Sequence, residues 1–375
     1  MYVGIDAHKR ECHATVLNER GEVVSRTRFP TNLGALTAWA RSLPAGSGLA
    51  LEASTVAKRL YWHLKKLGLD VRMAHPLAVR RKVGLKKKTD ALDSFELADL
   101  LRMGRLPESY VPAPGENERR QLLRFRIDLG RKINVIKCQI HSLLTHNGIE
   151  IELTDIFGVE GRRRIEASKL SATQQYLLDG LLAQLDLMHR QVDEVQGELA
   201  RRAETDPAVR RLMTMPGVDY YSAQVILSEI GDITRFPSSK HLASYAGLVP
   251  RVMQSGAVCR TGHIHKEGPR ALRWILTVCA HAAVKSPGKF QNLYRRLQRR
   301  IGTGKAIVAV AHRLVEVVFV LLTRGESYSQ ESRRNLSSKL WRMRSRIRAL
   351  PSVDLGVRLA RIEGRTSQWL RTVAE

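Results

Sequence analysis

Hydrophobic and polar positions alternate along the first hundred residues as expected for short strands separated by helices. Three β-prone runs come first, YVGID, CHATVL and EVVSRTRF, with a turn at residues 18–21 between the second and third. Predicted helices at about residues 31–43, 56–67 and 89–103 then alternate with the strands LALEA and DVRMA. The order β-β-β-α-β-α-β-α predicts an α/β domain over residues 1–110, in which helices cover a mixed sheet.

Two long amphipathic segments follow a break rich in proline and glycine. Apolar residues recur at helical spacing through residues 119–146 and again through residues 172–203. Each segment is too long and too one-sided to stand alone. We therefore predict that residues 111–206 form a coiled-coil-like spacer or oligomerisation arm, packed as an antiparallel hairpin or against partner chains.

The rest of the chain is predicted to be mainly α-helical. In residues 207–328, the segment MPGVDYYSAQVILSEIGD is similar to a helix-hairpin-helix, whose turn amides can hold a DNA phosphate. A glycine-rich loop, QSGAVCRTGHIHKEG, and two apolar helical stretches follow. Residues 329–375 form a strongly basic extension that contains RRNLSSKLWRMRSRIR, and we expect this extension to be mobile.

Charge and composition narrow the possible partners. The 375 residues include 62 Lys and Arg against 36 Asp and Glu, a net charge of +26, and 43% are hydrophobic. Such a chain folds into globular domains and attracts nucleic acid or an anionic membrane. We expect no membrane partner, because His312, Arg313 and Glu316 interrupt the most apolar stretch, residues 306–322. Isolated cysteines without a CxxC pair favour a reducing, cytoplasmic location.

Four carboxylates occupy positions suited to a metal site. Asp6 ends the first predicted strand, Glu52 ends the fourth, and Asp90 and Asp93 open the following helix on one face. If the first and fourth strands are neighbours, these acids converge into a pocket for Mg²⁺ or Mn²⁺, the cations that support phosphoryl transfer. The alternative is that Asp93 belongs to a solvated helix face and Glu52 pairs with an arginine.

Basic residues near these acids are candidate nucleic-acid contacts. The segment RRKVGLKKKTD precedes the acidic helix and would hold a phosphate backbone beside a phosphodiester site, although such runs are usually only solvated surface. Residues 263 and 265 are histidines without zinc-site spacing, so the loop around them is predicted to touch phosphate instead. The candidate contacts are Arg80, Arg81, Lys82, Lys86, Lys87, Lys88, Arg251, Arg260 and Lys266.

Taken together, these motifs resemble one family, the DEDD insertion-sequence transposases of the IS110 type. The matching segments are GIDAHKRECHATVLNERGEVV, LEAST, KKTDALDSFELADLLR and MPGVDYYSAQVILSEIGDITRFPSSKHLASYAGLVPRVMQSG, in the family's order over residues 1–325. The resemblance implies a RuvC-type RNase H-like fold for the first domain, with Asp6, Glu52, Asp90 and Asp93 as its metal-binding acids. It also implies that Ser255, in the Ser-Gly pair of the C-terminal domain, is a nucleophile.

The resemblance further implies an activity and its partners. Ser255 would attack a DNA phosphate and form a phosphoserine link, which conserves the energy of the phosphodiester. The partners would be double-stranded DNA at the element ends and target, a structured noncoding guide RNA, and further copies of the chain in a dimer or tetramer. We expect such a protein to be associated with the bacterial nucleoid.

We therefore predict a recombinase that inserts and excises a mobile element by cutting and rejoining DNA. Two alternatives remain open at this point. A structure-specific junction nuclease would use only the four acids, with water as the nucleophile and Ser255 dispensable. A non-catalytic nucleic-acid-binding relative of a transposase would leave DNA unchanged.

Overall fold

The computed structural model describes residues 1–84, 90–255, 258–264, 267–329 and 333–349. The chain divides into two compact units, Met1–Ala113 and Pro114–Glu375. The long helices and the segment that contains Ser255 therefore lie in the same unit.

The first unit is built on a mixed five-stranded sheet. Its strands are β1 (Tyr2–Ala7), β2 (Glu11–Leu17), β3 (Val23–Pro30), β4 (Gly48–Glu52) and β5 (Asp70–Ala74). Its helices are α1 (Leu33–Arg41), α2 (Ala57–Lys66), α3 (Pro76–Val83) and α4 (Asp90–Arg102). The strand order is β3-β2-β1-β4-β5, antiparallel from β1 to β3 and parallel through β1, β4 and β5. The predicted α/β, RNase H-like fold is confirmed.

Helix α3 is an element that the hydrophobic pattern did not predict. The side chain of His75 accepts a hydrogen bond from the Ala78 amide, and Pro76 occupies the first turn. An N-cap acceptor followed by proline is a common helix start, so this local signal was present in the sequence.

The two faces of the sheet differ in side-chain size. Large apolar residues such as Ile5 and Leu51 point towards α1 and α2 and form one core with them. On the other face, Gly4 is so close to α4 that an added Cβ would collide with the backbone carbonyl of Ser94. The small residue lets α4 lie directly on β1.

The second unit is mainly helical. Its helices are α5 (Pro114–His146), α6 (Val159–Glu166), α7 (Ala172–Thr205), α8 (Pro207–Met213), α9 (Tyr220–Ile230), α10 (Ser239–Tyr245), α11 (Arg270–Ala283), α12 (Lys289–Ile301), α13 (Thr303–Arg324) and α14 (Arg333–Arg348). A short 3₁₀ turn spans Ile233–Arg235, and a hairpin pairs β6 (Pro250–Ser255) with β7 (Val258–Ile264). The segment that we predicted to be a glycine-rich loop is thus largely this hairpin.

The two long helices, α5 and α7, pack on each other. At one end of the pair, Ile140 and Leu182 share a core with Ile165 of α6. At the other end, Leu123 and Leu199 belong to the large core of the C-terminal helices. The pair therefore projects from that core as an arm.

Helix α13 is long and apolar enough to span a membrane by length and composition alone. Eight of its residues are buried, and seven of these, all except Ala306, belong to the core formed with α8, α10 and α11. We interpret α13 as a core helix of this unit, as the charged residues within the stretch predicted.

The expectation of a mobile basic tail is wrong for its first part. Residues 333–348 form α14, and Met343 of this helix is completely buried in the core. Lys339 is 7% exposed, and its ammonium donates hydrogen bonds to the carbonyls of Met213 (2.8 Å) and Met215 (2.7 Å). A lysine at these carbonyls stabilises the end of α8. Residues 350–375 lie outside the described part of the chain.

Candidate active site

The first two predicted acids lie at the same edge of the sheet. β1 and β4 are parallel neighbours, and their last recorded pair is Ile5 with Leu51. Asp6 and Glu52 each follow by one position, so they are adjacent at the carboxyl ends of these strands. Side chains alternate along a strand, which puts both acids on the face that carries Gly4 and faces α4.

Helix α4 runs antiparallel to β1 and carries the other two acids. Ser94 lies above Gly4, and its hydroxyl oxygen is 2.8 Å from that of Thr15. The position of Asp90 is one turn earlier, about 6 Å along the helix, which is close to the two-residue step from Gly4 to Asp6. Position 90 therefore lies towards the end of β1 that carries Asp6. Asp93 is half-buried beside Ser94.

The side chain of Asp90 lies outside the described residues, as do the Lys86, Lys87 and Lys88 positions. Within the described ranges, no group of three or more His, Cys, Asp or Glu side chains is arranged to hold a metal ion. The chemistry of the acids nevertheless fits one. Asp6 and Glu52 offer oxygen donors only, which Mg²⁺ and Mn²⁺ prefer, and Asp6 is 13% exposed at an accessible strand end.

His8 is a site residue that the sequence analysis did not select. Its Nε2 lies 3.2 Å from Asp6 Oδ2, at hydrogen-bonding distance, and its ring is half-exposed. The rings of His8 and His13 meet edge to face with centroids 6.2 Å apart. His8 can thus orient the Asp6 carboxylate. The feature of the sequence that could have identified His8 is its position two residues after Asp6, a candidate metal ligand near a strand end.

The Ser255 segment belongs to the β6–β7 hairpin of the second unit. Ser255 is the last residue of β6 and pairs with Val258 of β7. Pairing of Met253 with Arg260 places position 260 on the same hairpin face as position 255, because residues two apart share a face. The side chains of Ser255 and Arg260 lie outside the described residues, and so does Lys266.

The described basic candidates are exposed but differ in their contacts. Arg80, Arg81 and Lys82 lie on the exposed surface of α3, and Lys82 Nζ donates a 2.6 Å hydrogen bond to the carbonyl of Arg105. Arg251 is exposed on β6. Lys82 therefore makes a hydrogen bond within its own unit, and its charge is also accessible to a phosphate.

The predicted helix-hairpin-helix corresponds to α8, α9 and the turn between them. Gly217 in this turn has φ +75°, and an added Cβ would approach the backbone of Cys279 and Ala283 in α11. Asp219 caps α9 through reciprocal hydrogen bonds with Ser222. Glycine is thus required for both the backbone conformation and the close packing of the turn on α11.

Comparison with known families identifies both units. Residues 3–147 match the family model of the IS110-type DEDD transposase domain. Residues 209–295 match the model described as "Transposase IS116/IS110/IS902 family". The first match contains all four candidate acids and the second contains Ser255, and together they cover more than half of the chain.

Individual relatives extend the likeness over most of the chain. The transposase for insertion sequence element IS1328 of Yersinia enterocolitica is 24% identical, over 88% of this chain and 98% of the relative. The transposase for IS1111A of Coxiella burnetii is 25% identical, over 87% and 90%. A pilin gene-inverting protein of Moraxella bovis is 31% identical, over 40% and 45%. The chain belongs to the IS116/IS110/IS902 family of insertion-sequence transposases.

Proposed function

We propose that this transposase cuts and rejoins DNA through a covalent serine–DNA intermediate, with a divalent-metal site in its RNase H-like unit. The observation that carries the proposal is the adjacency of Asp6 and Glu52 on the α4-facing side of β1 and β4. Helix α4, which packs on this face of β1, begins at position 90 and would bring Asp90 and Asp93 to the same site.

Asp6, Glu52, Asp90 and Asp93 would hold Mg²⁺ or Mn²⁺. When bound, the metal supplies Lewis-acid stabilisation of the charge on a reacting phosphate. The four carboxylates would hold the metal at the end of the sheet, and His8 would fix the orientation of Asp6 through the contact between its Nε2 and Asp6 Oδ2. The basic residues of α3 lie in the same unit and would contact the adjoining phosphates; they are Arg80, Arg81 and Lys82.

Ser255 would be the nucleophile. Its oxygen forms a bond to phosphorus while the bond from phosphorus to the leaving deoxyribose oxygen breaks, and that oxygen takes up a proton. The place of Ser255 at the end of strand β6 supports this role, because the end of a hairpin can approach a DNA backbone closely. Rejoining reverses these bond changes on a second DNA end.

The acids are tested by amide substitutions. Asp6→Asn and Glu52→Gln keep the side-chain shape but remove the charge, so Mg²⁺-dependent cleavage of DNA carrying the element ends should fall at least about a hundredfold. Asp70→Asn is the matched control, since Asp70 is an exposed acid that begins β5 at the opposite edge of the sheet. Equal activity of Asp6→Asn and Asp70→Asn would contradict the metal-site proposal.

The serine is tested by trapping the covalent product. Ser255→Ala should abolish the protein–DNA adduct that survives denaturation, while DNA binding remains. Ser142→Ala is the control, because Ser142 is an exposed serine of the same unit, on α5. Cleavage that persists in Ser255→Ala without an adduct would instead identify a nuclease that uses water.

We also propose that a structured noncoding RNA guides the protein, as the family resemblance implies. The net charge of +26 supports this, because an RNA and two DNA duplexes require extensive phosphate neutralisation. The protein should be purified from cells that carry its gene with native flanks, and the RNA retained through a high-salt wash should be sequenced. One enriched species that maps beside the gene is expected, whereas random fragments would overturn RNA guidance.

A homo-oligomer, a dimer or tetramer, completes the proposal. Apolar side chains remain exposed on the arm formed by α5 and α7, including Val135 (58%) and Leu187 (44%). Contact between arms would bury them. Light scattering of the purified protein should give a multiple of 42.3 kDa. Val135→Glu with Leu187→Glu should shift the mass towards one protomer, and a wild-type mass of one protomer would exclude this oligomer.

A further inference from the structure

A second basic surface lies outside the residues considered above. Between Glu267 and Glu316 the sequence contains no Asp or Glu, whereas it contains ten Lys and Arg. Four of these arginines lie on α12: Arg295, Arg296, Arg299 and Arg300. The stretch follows the Ser255 hairpin directly in sequence and belongs to the same unit.

Helix α12 separates its apolar and basic residues onto opposite faces. Phe290 is buried, and Tyr294 and Leu297 are half-buried on the same side, where the helix packs against α13. At 3.6 residues per turn, the four arginines fall within about 140° of the helix circumference, together with Lys289. All four arginines are exposed, so they form one continuous face that we call the α12 arginine face.

The four arginines of α12 differ from those of the arginine-rich helix α14 because they lack acidic neighbours. None of the four guanidinium groups forms an ion pair or hydrogen bond with any residue in the part of the chain that the structure describes. On α14, by contrast, Arg344 lies 3.4 Å from Glu204 and Arg346 lies 2.8 Å from Asp193. The positive charge of α14 is therefore partly neutralised by its own unit, while that of α12 is directed entirely to solvent.

Uncompensated like charges on one helix repel each other, which costs free energy unless a partner supplies negative charge. We propose that the α12 arginine face is a docking surface for the phosphate backbone of double-stranded DNA. Helix α12 is about 20 Å long. The major groove of B-form DNA is about 12 Å wide, which is wide enough to admit an α-helix. The deep, narrow groove of A-form RNA does not admit such a helix.

The geometry also explains the spacing of the arginines. Arg295 and Arg296 are adjacent, and Arg299 and Arg300 repeat the pair one turn later, about 6 Å along the helix. The two arginines of each pair lie on opposite sides of the exposed face, so they can reach phosphates on the two strands that border the groove. This surface deepens the proposed function, since it rests on the chain acting on DNA.

The test measures binding rather than cleavage. The variant R295Q/R296Q/R299Q/R300Q removes four charges, and the control R131Q/R163Q/R164Q/R313Q also removes four exposed arginines. Each control arginine is ion-paired to an acid of its own helix, so little phosphate binding is lost with it. Affinity for a DNA duplex of arbitrary sequence is measured at several salt concentrations in the presence of a metal chelator.

If the α12 arginine face binds DNA, each arginine that contacts a phosphate contributes about 0.9 to the slope of log affinity against log salt concentration. Loss of four such contacts in the α12 variant should therefore make this slope shallower by about 3.6. The control should keep nearly the wild-type slope. Equal slopes in the two variants would overturn the proposal. A loss confined to an RNA duplex, with DNA binding unchanged, would overturn it as well.

The result of this binding experiment does not depend on whether the protein is catalytically active. A chain that binds DNA through α12 but forms no covalent adduct would contradict the serine mechanism and leave the docking surface intact. A chain that cleaves DNA normally after loss of the four arginines, with an unchanged salt slope, would refute the docking surface and leave the proposed function intact.

Discussion

The α-carbon of Gly4 on β1 lies against the backbone of Ser94 and Ala98 on α4, and no side chain separates them. An added Cβ would stand 2.6 Å from the Ala98 amide nitrogen and closer still to the Ser94 carbonyl. Backbone atoms cannot rotate away as a flexible side chain can, so α4 itself would have to move. The close approach determines where the acids of α4 lie relative to Asp6.

Gly4→Ala should therefore lower both stability and activity. Overpacking of this kind costs about 1–3 kcal/mol, and a displaced α4 would also separate its acids from Asp6 and Glu52. Urea unfolding measures the first effect, and Mg²⁺-dependent cleavage measures the second.

Gly180→Ala is the matched control for this substitution. Gly180 lies within α7, and an added Cβ there meets nothing within 4 Å. Alanine at such a helical position should stabilise the chain by up to about 1 kcal/mol. A Gly4→Ala protein that is as stable and active as Gly180→Ala would show that α4 does not rest on β1 as described.

Lys339→Met should destabilise the second unit. The substitution leaves the carbonyls of Met213 and Met215 without their charged donor in a buried position. Loss of hydrogen bonds to a charged group costs about 1.5–3 kcal/mol. Arg348→Met removes the same charge from an exposed position of α14 and should change stability by no more than about 0.5 kcal/mol. Similar thermal midpoints for the two variants would argue against a docked α14.

Alkaline pH should destabilise the second unit through two tyrosines, the buried Tyr220 and the half-buried Tyr221. Burial raises the pKa of Tyr220 to about 12, with Asp219 adding to the effect, and burial also raises the pKa of Tyr221 to about 12. An unfolded tyrosine ionises near pH 10, so the folded state holds the neutral phenol over a range where the unfolded state does not. The contribution of these tyrosines to the free energy of unfolding is fully present below about pH 10 and is lost between about pH 10 and 12.

Urea unfolding at a series of pH values from 8 to about 12 measures this loss. The free energy of unfolding should decline more steeply in the wild type than in Tyr220→Phe and Tyr221→Phe, since phenylalanine cannot ionise. Parallel declines in all three proteins would refute the assignment to these tyrosines.

His8→Ala should raise the Mg²⁺ concentration needed for half-maximal cleavage by about tenfold, because an orienting partner of a metal-binding carboxylate contributes to metal affinity. The cause is loss of the contact between His8 Nε2 and Asp6 Oδ2. Lys9→Ala alters the neighbouring exposed residue and should leave the Mg²⁺ requirement unchanged. An unchanged requirement in His8→Ala, at wild-type thermal stability, would exclude the positioning role.

Local patterns in the sequence determined most of the secondary structure and the places of the acids along it. Alternation of apolar residues predicted β1 to β5, and helical spacing predicted α5 and α7, because both periodicities follow from backbone geometry within one element. The placement of Asp6 and Glu52 at strand ends could be read in the same way. Helix α3 was missed because its cap lies beside a run of charges that resembles solvated loop.

Only the tertiary structure decided which elements meet. The parallel pairing of β1 with β4 makes Asp6 and Glu52 neighbours although 46 positions separate them. Helices α12 and α14 show the same distinction. Both are arginine-rich and amphipathic in sequence, but α14 lies against Asp193 and Glu204 and buries Lys339 at carbonyls more than a hundred residues away. No acid of the described chain reaches the arginines of α12. Charge is a property of the sequence, whereas its neutralisation depends on long-range contacts that only the folded chain brings together.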